Sequence, residues 1–308
     1  MSKKLVIFGA TGQQGHSMLT TVHEDPILSK QYSLRAITRD TSSATAQSIA
    51  NKGIEVVQAD VKDPATLPAA LKDANTVILT TPTEYTPDLK EREYRVVKSV
   101  GDAAVAAGVE YFIFSTEVHC PELWNGRAVD SFDAKAEAEA YLRTLPLKTS
   151  FFAPGMFMQN LATVMAPRPA GDGTYVIANI MAPDAKGPVI DVVGDSGKYV
   201  ASLLYEPEKS VGVTLYAASG LYSFAEMAQI ISRVSGKTVK YVQLPEEVYA
   251  GFMPAEMGGR MVDMMRFIEE VGYYGPDTER LVEETVARVK KGKLTSLEEF
   301  AEKYLVDF

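Results

Sequence analysis

Leu5-Val6-Ile7-Phe8-Gly9-Ala10-Thr11-Gly12-Gln13-Gln14-Gly15 is the stretch whose reading decides the fold. Leu5 to Phe8 is apolar without alternation, as expected of a strand covered on both faces. Glycines follow at 9, 12 and 15, and Gln13 to His23 reads as a helix. Gly9 permits the sharp turn out of the strand, Gly12 lets the backbone approach a pyrophosphate, and Gly15 lets helix and strand pack closely. Thr11, Gln13 and Gln14 complete a loop that ends on a helix N-terminus, where free N–H groups and the positive end of the dipole favour phosphate. Spaced glycines alone are a weak signal. Between a strand and a helix they read as the phosphate turn of a dinucleotide-binding domain.

The same rhythm continues outward. Leu34–Thr38, Ile54–Val57, Thr76–Thr80, Tyr111–Phe114 and Lys148–Phe152 read as strands. Helical stretches near Ala44–Asn51, Pro64–Leu71, Asp88–Ala107 and Phe132–Arg143 separate them. Strands joined by helices imply a parallel sheet with right-handed crossovers. After Ala153, prolines and glycines break this rhythm, so a second unit is expected. The fold class is therefore α/β, a Rossmann-type doubly wound parallel sheet with a smaller α+β C-terminal lobe. Residues 1–155 form the dinucleotide-binding domain in this reading, with returns to it near 188–210 and 237–245, and residues 156–308 form the smaller, mostly helical lobe. Val189-Ile190-Asp191-Val192 is expected as a buried strand, with the helix after Asp195 leading back to the main sheet.

The end of the second strand selects the dinucleotide. An acid there suits the ribose 2′-hydroxyl of NAD(H). This chain has Thr38-Arg39-Asp40, and the Arg39 guanidinium suits a 2′-phosphate. NADP(H) is expected to bind better than NAD(H), with Asp40 as the complication. Asp60 and Val61 are expected near the adenine, and Thr80, Thr81 and Pro82 behind the middle of the cofactor.

The chain has 308 residues, 46% hydrophobic and 23% charged, which is ordinary for a globular protein. Its net charge of −9 disfavours direct nucleic-acid binding. The basic run Lys290-Lys291-Gly292-Lys293 reads as a solvated helix end. The single cysteine, Cys120, excludes an internal disulfide and suits a reducing compartment. No run is long and apolar enough to span a bilayer, and the N-terminus enters a strand directly. The cytosol is the default location and the nucleus the alternative. His and Cys are too few for a structural metal site, so none is expected.

The glycine loop with its Gln13-Gln14-Gly15 ending, Thr38-Arg39, Phe132-Asp133-Ala134-Lys135 and Pro154-Gly155-Met156-Phe157-Met158-Gln159-Asn160 together resemble the NmrA-like family, an atypical branch of the short-chain dehydrogenase/reductase superfamily. Gly236-Lys237-Thr238-Val239 and Gly272-Tyr273-Tyr274-Gly275 look like fungal members in particular. The resemblance implies NADP(H) or NAD(H) in a Rossmann domain, and a role as a redox sensor or negative regulator of transcription acting on a protein partner such as a transcription factor. Other members are regarded as reductases of fungal metabolism. The alternative reading is therefore an NADPH-dependent reductase of a small carbonyl, imine or enone.

Superfamily reductases use Tyr-x-x-x-Lys, in which the phenol gives the proton. Here the lysine is Lys135, but Ser131 stands in the place of the tyrosine, and a serine hydroxyl is a much poorer acid. Three readings stay open. Lys135 only clamps the cofactor ribose; Lys135 is itself the acid or base, as in isoflavone-reductase-like enzymes; or Tyr85 or Tyr94 reaches in from elsewhere. Lys135 on a solvated helix face beside Glu139 is the plain structural alternative. Ser115-Thr116 occupies the place of a carbonyl-binding serine, and His119-Cys120 reads as an ordinary loop. Pro154, Phe157 and Asn160 are expected across the nicotinamide end. Met253, Met257, Met261, Met264 and Met265 have the spacing of core residues.

Overall fold

In β1 (Lys3–Phe8), Leu5 and Ile7 enter one buried cluster while Val6 and Phe8 enter another, so both faces of the strand are covered. That is the physical reason for its unbroken apolar run. A computed structural model of the chain describes residues 2–290 and 292–308. Met1 and Lys291 lie outside the described residues, so the basic run around Lys291 is described only at its flanks.

The helices of eight or more residues are α1 (Gln13–Glu24), α2 (Ala44–Asn51), α3 (Leu89–Ala106), α4 (Asp130–Leu142), α5 (Val192–Tyr205), α6 (Phe224–Ser235), α7 (Ala255–Glu270), α8 (Thr278–Val286) and α9 (Leu297–Tyr304). β2 (Tyr32–Thr38), β3 (Glu55–Gln58), β4 (Thr76–Leu79), β5 (Tyr111–Ser115), β6 (Lys148–Pro154) and β11 (Thr214–Ala217) join β1 in a seven-stranded sheet of order β11-β6-β5-β4-β1-β2-β3. Every pairing in it is parallel. Met18, Leu19 and Val22 of α1 pack with Tyr199, Val200 and Leu203 of α5 on one face, and Val97, Val100 and Ala104 of α3 pack with Ala138 and Leu142 of α4 on the other. This is a Rossmann-type doubly wound sheet. Its order reverses between β1 and β4, where such sheets open a crevice beyond their carboxyl ends.

Two smaller sheets carry a separate core. β7 (Met156–Phe157), β10 (Lys186–Ile190) and β12 (Gly220–Ser223) form one, and β8 (Arg168–Pro169), β9 (Tyr175–Asn179) and β13 (Val239–Gln243) form the other. Phe224, Phe267, Tyr273 and Phe300 lie in their shared core.

Two expectations are corrected here, and one strand is added. The strand expected at 189–192 stops at Ile190, because Asp191 turns away to cap α5, its carboxylate accepting from Val193 N at 3.2 Å and Gly194 N at 2.9 Å. The stretch near 237–245 does not return to the main sheet: β13 pairs in parallel with β9. The edge beside β6 is already taken by β11, which the sequence reading passed over. Of the methionines at 253–265, Met265 is buried in the second core and Met261 and Met264 pack against it. Among the described residues no helix is long and apolar enough to cross a membrane.

Candidate functional site

The crevice at the β1/β4 reversal is a cleft of about 700 Å³. Gly9 turns the chain out of β1 with φ +75°, and a Cβ there would stand 2.2 Å from Thr80 Oγ1. Gly12 N donates to Gly9 O at 2.9 Å, which closes the turn. A Cβ on Gly15 would stand 2.3 Å from Gly9 O, so only glycine lets α1 sit this close to the strand end. Among the described residues no side chain caps the N-terminus of α1, and no acid lies in its first turn. Its free N–H groups open toward the cleft, an arrangement that fits a diphosphate.

Gly9, Thr11, Gly12, Gln13, Gln14, Arg39, Asp60, Val61, Thr80, Thr81, Pro82, Lys135, Pro154 and Phe157 all line this space. Gly15 does not line it but acts beneath it, as the packing contact just described. Asn160 is absent from the walls; it lies in a short 3₁₀ turn where its carbonyl accepts from Thr163 N at 3.1 Å and Met165 N at 2.8 Å. Its neighbour Gln159 is a structural clamp, with Nε2 donating to Asp191 Oδ1 at 2.6 Å and Oε1 accepting from Val192 N at 3.1 Å.

At the adenosine end, Arg39 is exposed and its guanidinium makes no hydrogen bond or ion pair among the described residues. Asp40 is turned away: its Oδ1 accepts from Ser42 N at 2.8 Å and Ser42 Oγ at 2.6 Å, and these bonds hold its carboxyl below the ordinary range. Lys62 reaches Glu84 at 2.5 Å, and Glu84 also accepts from Arg92 at 2.8 Å. These three residues line the cleft as well.

At the other end, Lys135 is buried. Its Nζ donates to Thr81 Oγ1 at 2.8 Å, Thr81 O at 3.2 Å and Glu93 Oε1 at 2.9 Å. Those contacts use all three N–H groups of an ammonium. Thr81 in turn donates to Glu93 through a short hydrogen bond. Glu139 pairs instead with Arg143, so the solvated-face reading of Lys135 is overturned. Ser115 donates to Gln14 Oε1 at 2.8 Å, tying the end of β5 to the glycine loop. Tyr94 packs edge-on to Tyr141 and does not line the cleft. Tyr85 is half-buried beside Ser131; burial raises its phenol's pKa, and the serine hydroxyl pulls the other way. Cys120 is not in the ordinary loop expected but opens a short helix, Cys120–Leu123, and its N donates to Asp133 Oδ1 at 2.8 Å, so this stretch is held structurally.

Sequence reasoning missed Glu93, Glu117 and Tyr273. Glu93 carried a signal: it shares a helix face with Leu89, Val97 and Val100, all buried, so an acid stood where the pattern demanded an apolar residue. Glu117 lines the cleft just beyond β5, and Tyr273 Oη donates to its Oε1 at 3.5 Å. Burial pushes the Glu117 carboxyl well above the ordinary glutamate range, with nearby Lys135 opposing. Among the described residues no cluster of three or more His, Cys, Asp or Glu is placed to hold a metal.

Comparison with known proteins agrees with this geometry. The NmrA-like family domain-containing oxidoreductase malD of Malbranchea aurantiaca is 29% identical over 259 residues, covering 79% of this chain and 76% of the relative. NmrA, a negative transcriptional regulator solved in complex with NADP, superposes with a TM-score of 0.83 at 20% identity, covering 99% of this chain and 95% of that one. The same regulator has also been solved with NAD, at the same TM-score. The NADPH-dependent quinone oxidoreductase QOR2 of Escherichia coli superposes at 0.76 with 23% identity, covering 97% of this chain and 99% of that one. At these identities the structural likenesses speak for the fold alone. The model of the NmrA-like family, however, matches residues 1–301, and the chain belongs to that family.

Proposed function

We propose that the chain binds a nicotinamide dinucleotide along this cleft, prefers NADP(H), and uses it to reduce a small carbonyl, imine or enone. The uncapped α1 and the glycine turn would hold the diphosphate, and Arg39 the 2′-phosphate. The solved relatives with NADP, NADPH and NAD support the cofactor class. Bound NADPH would supply a hydride. The observation that carries the reductase reading is the lining of the cleft, where Ser115, Glu117 and Lys135 bring polar groups together with the Phe157 ring. Lys135, with its donors already engaged by Thr81 and Glu93, serves in this reading as a fixed positive charge beside the site.

Calorimetric titration with NADPH and NADH tests the cofactor. Arg39→Ala is expected to remove a charge-assisted contact of about 1.5–3 kcal/mol, weakening NADPH about 10- to 100-fold and leaving NADH nearly unchanged. Equal loss for both would refute the assignment. NADPH oxidation across aldehydes, imines, enones and quinones tests the reaction.

A second reading, an NADP(H)-responsive regulator of a cytosolic or nuclear protein such as a transcription factor, draws on Ser131 in place of the phenol and on the saturated Lys135. It takes precedence if no substrate is turned over while NADPH and NADP⁺ protect different segments from hydrogen exchange.

A further inference from the structure

Glu117, which lines the cleft near Lys135, is a carboxyl for which cofactor binding gives no account. Among the described residues, Glu117 Oε1 receives only the long contact from Tyr273, and Oε2 is buried with no hydrogen-bond partner. The ammonium nearby is already committed to Thr81 and Glu93. An ionised carboxylate in that position leaves acceptor sites empty, and this is costly away from water. A neutral acid has one O–H to place, and a substrate oxygen would complete it. Two carboxyls in one site, one ion-paired and one with a buried oxygen that has no partner, are the pattern that separates acid from base roles.

We propose that Glu117 is the proton donor of the reduction, filling the role that Ser131 leaves open, with a small aldehyde or ketone as substrate. This rests on the reductase reading above. Tyr273 contacts Glu117, and the other titratable groups acting on it electrostatically are Lys135 from α4, Tyr274 from the turn before α8, Cys120 and Tyr85. Burial raises the pKa of the three phenols and of the thiol, so they stay neutral and Lys135 is the charge set against Glu117. The terminal torsion of a glutamate is soft, so the carboxyl can turn its O–H toward the cleft. In the step, the substrate carbon gains hydride as the C=O π bond breaks, and its oxygen takes the Glu117 proton. The product is the alcohol, the dinucleotide is left oxidised by two electrons, and the Glu117 carboxylate regains its proton from water.

Glu117→Gln keeps the shape and removes the transferable proton. With NADPH and a panel of aldehydes and ketones, the expected loss in kcat is about 100-fold or more, with NADPH affinity essentially unchanged. Glu117→Asp, still an acid, should recover part of the rate. A second readout does not need turnover: carbon-13 carboxyl NMR of labelled glutamate, with and without NADP⁺. One resonance should titrate well above the other glutamates and vanish in Glu117→Gln. An ordinary titration of Glu117 overturns the proposal even in an active enzyme. Unchanged turnover in Glu117→Gln overturns it while leaving the reductase reading intact. A wild type that oxidises NADPH with no substrate ends the reductase reading and the donor role together.

Discussion

At the residue scale, the site turns on one buried ion pair and one carboxyl whose Oε2 has no partner among the described residues. Lys135 and Glu93 are both nearly sealed, with side chains 10% and 8% exposed. Removing one partner of a buried pair leaves the other charge unpaired, at a cost of about 3–5 kcal/mol. Glu93→Ala is therefore expected to lose that much stability in urea unfolding, and Lys135→Met on the same background should restore part of it. A double variant no more stable than Glu93→Ala would count against the coupling. Glu117 carries its own stability signature. Its folded pKa is raised, so the folded protein keeps a proton that the unfolded chain has released. That contribution is full below the unfolded value of about 4.3 and is lost as pH rises through the folded value. Glu117→Gln should gain on wild type in melting temperature as pH rises, and a constant difference would contradict it. Lys135 and Arg39 were legible in the sequence because motif positions marked them. Glu117 was not, because the group that meets it, Tyr273, is 156 residues away.

At the element scale, the helix that presents its N-terminus to the cleft is held from behind. α1 crosses α5 where Gly197 lies against it, and Gly197 N donates to Ser17 Oγ at 3.0 Å. A Cβ on Gly197 would stand 2.0 Å from Thr21 Oγ1 and 2.4 Å from Ser17 O. Gly197→Val should push the helices apart, costing about 1–3 kcal/mol. Because α1 and the glycine turn move together, NADPH affinity should fall as well, by titration alongside the melting curve. A stability loss with unchanged affinity would uncouple the two. The strand–helix alternation up to Phe152 was plain in the sequence, since buried parallel strands read as apolar runs. β11 was missed because Thr214–Ala217 is short and half-exposed at the sheet edge. The stretch holding β13 was expected back at the main sheet and pairs with β9 instead, because a local sequence pattern reports extended backbone and not the neighbour it pairs with.

At the scale of the whole molecule, the second unit reaches the cleft through its contact with Glu117. β1 leads into the glycine turn and α4 supplies Lys135, while the turn between α7 and α8 brings Tyr273 to Glu117 and Tyr274 Oη to Ala153 O at 2.9 Å. Gln159 ties the start of the second unit to the helix that returns to the first. Local sequence signals specified neither contact, as both depend on how distant segments come together.

The Lys62–Glu84–Arg92 group has a consequence for thermodynamics in salt. Two cations that could serve the phosphates already hold an anion, so an incoming dinucleotide exchanges one counter-ion for another instead of meeting bare charge. Affinity should then fall with ionic strength less steeply than the count of cationic side chains implies. Glu84→Gln should tighten NADPH at low salt and steepen that dependence, as read from fluorescence titrations at about 50 and about 200 mM salt; an unaltered slope would mean the acid does not compete.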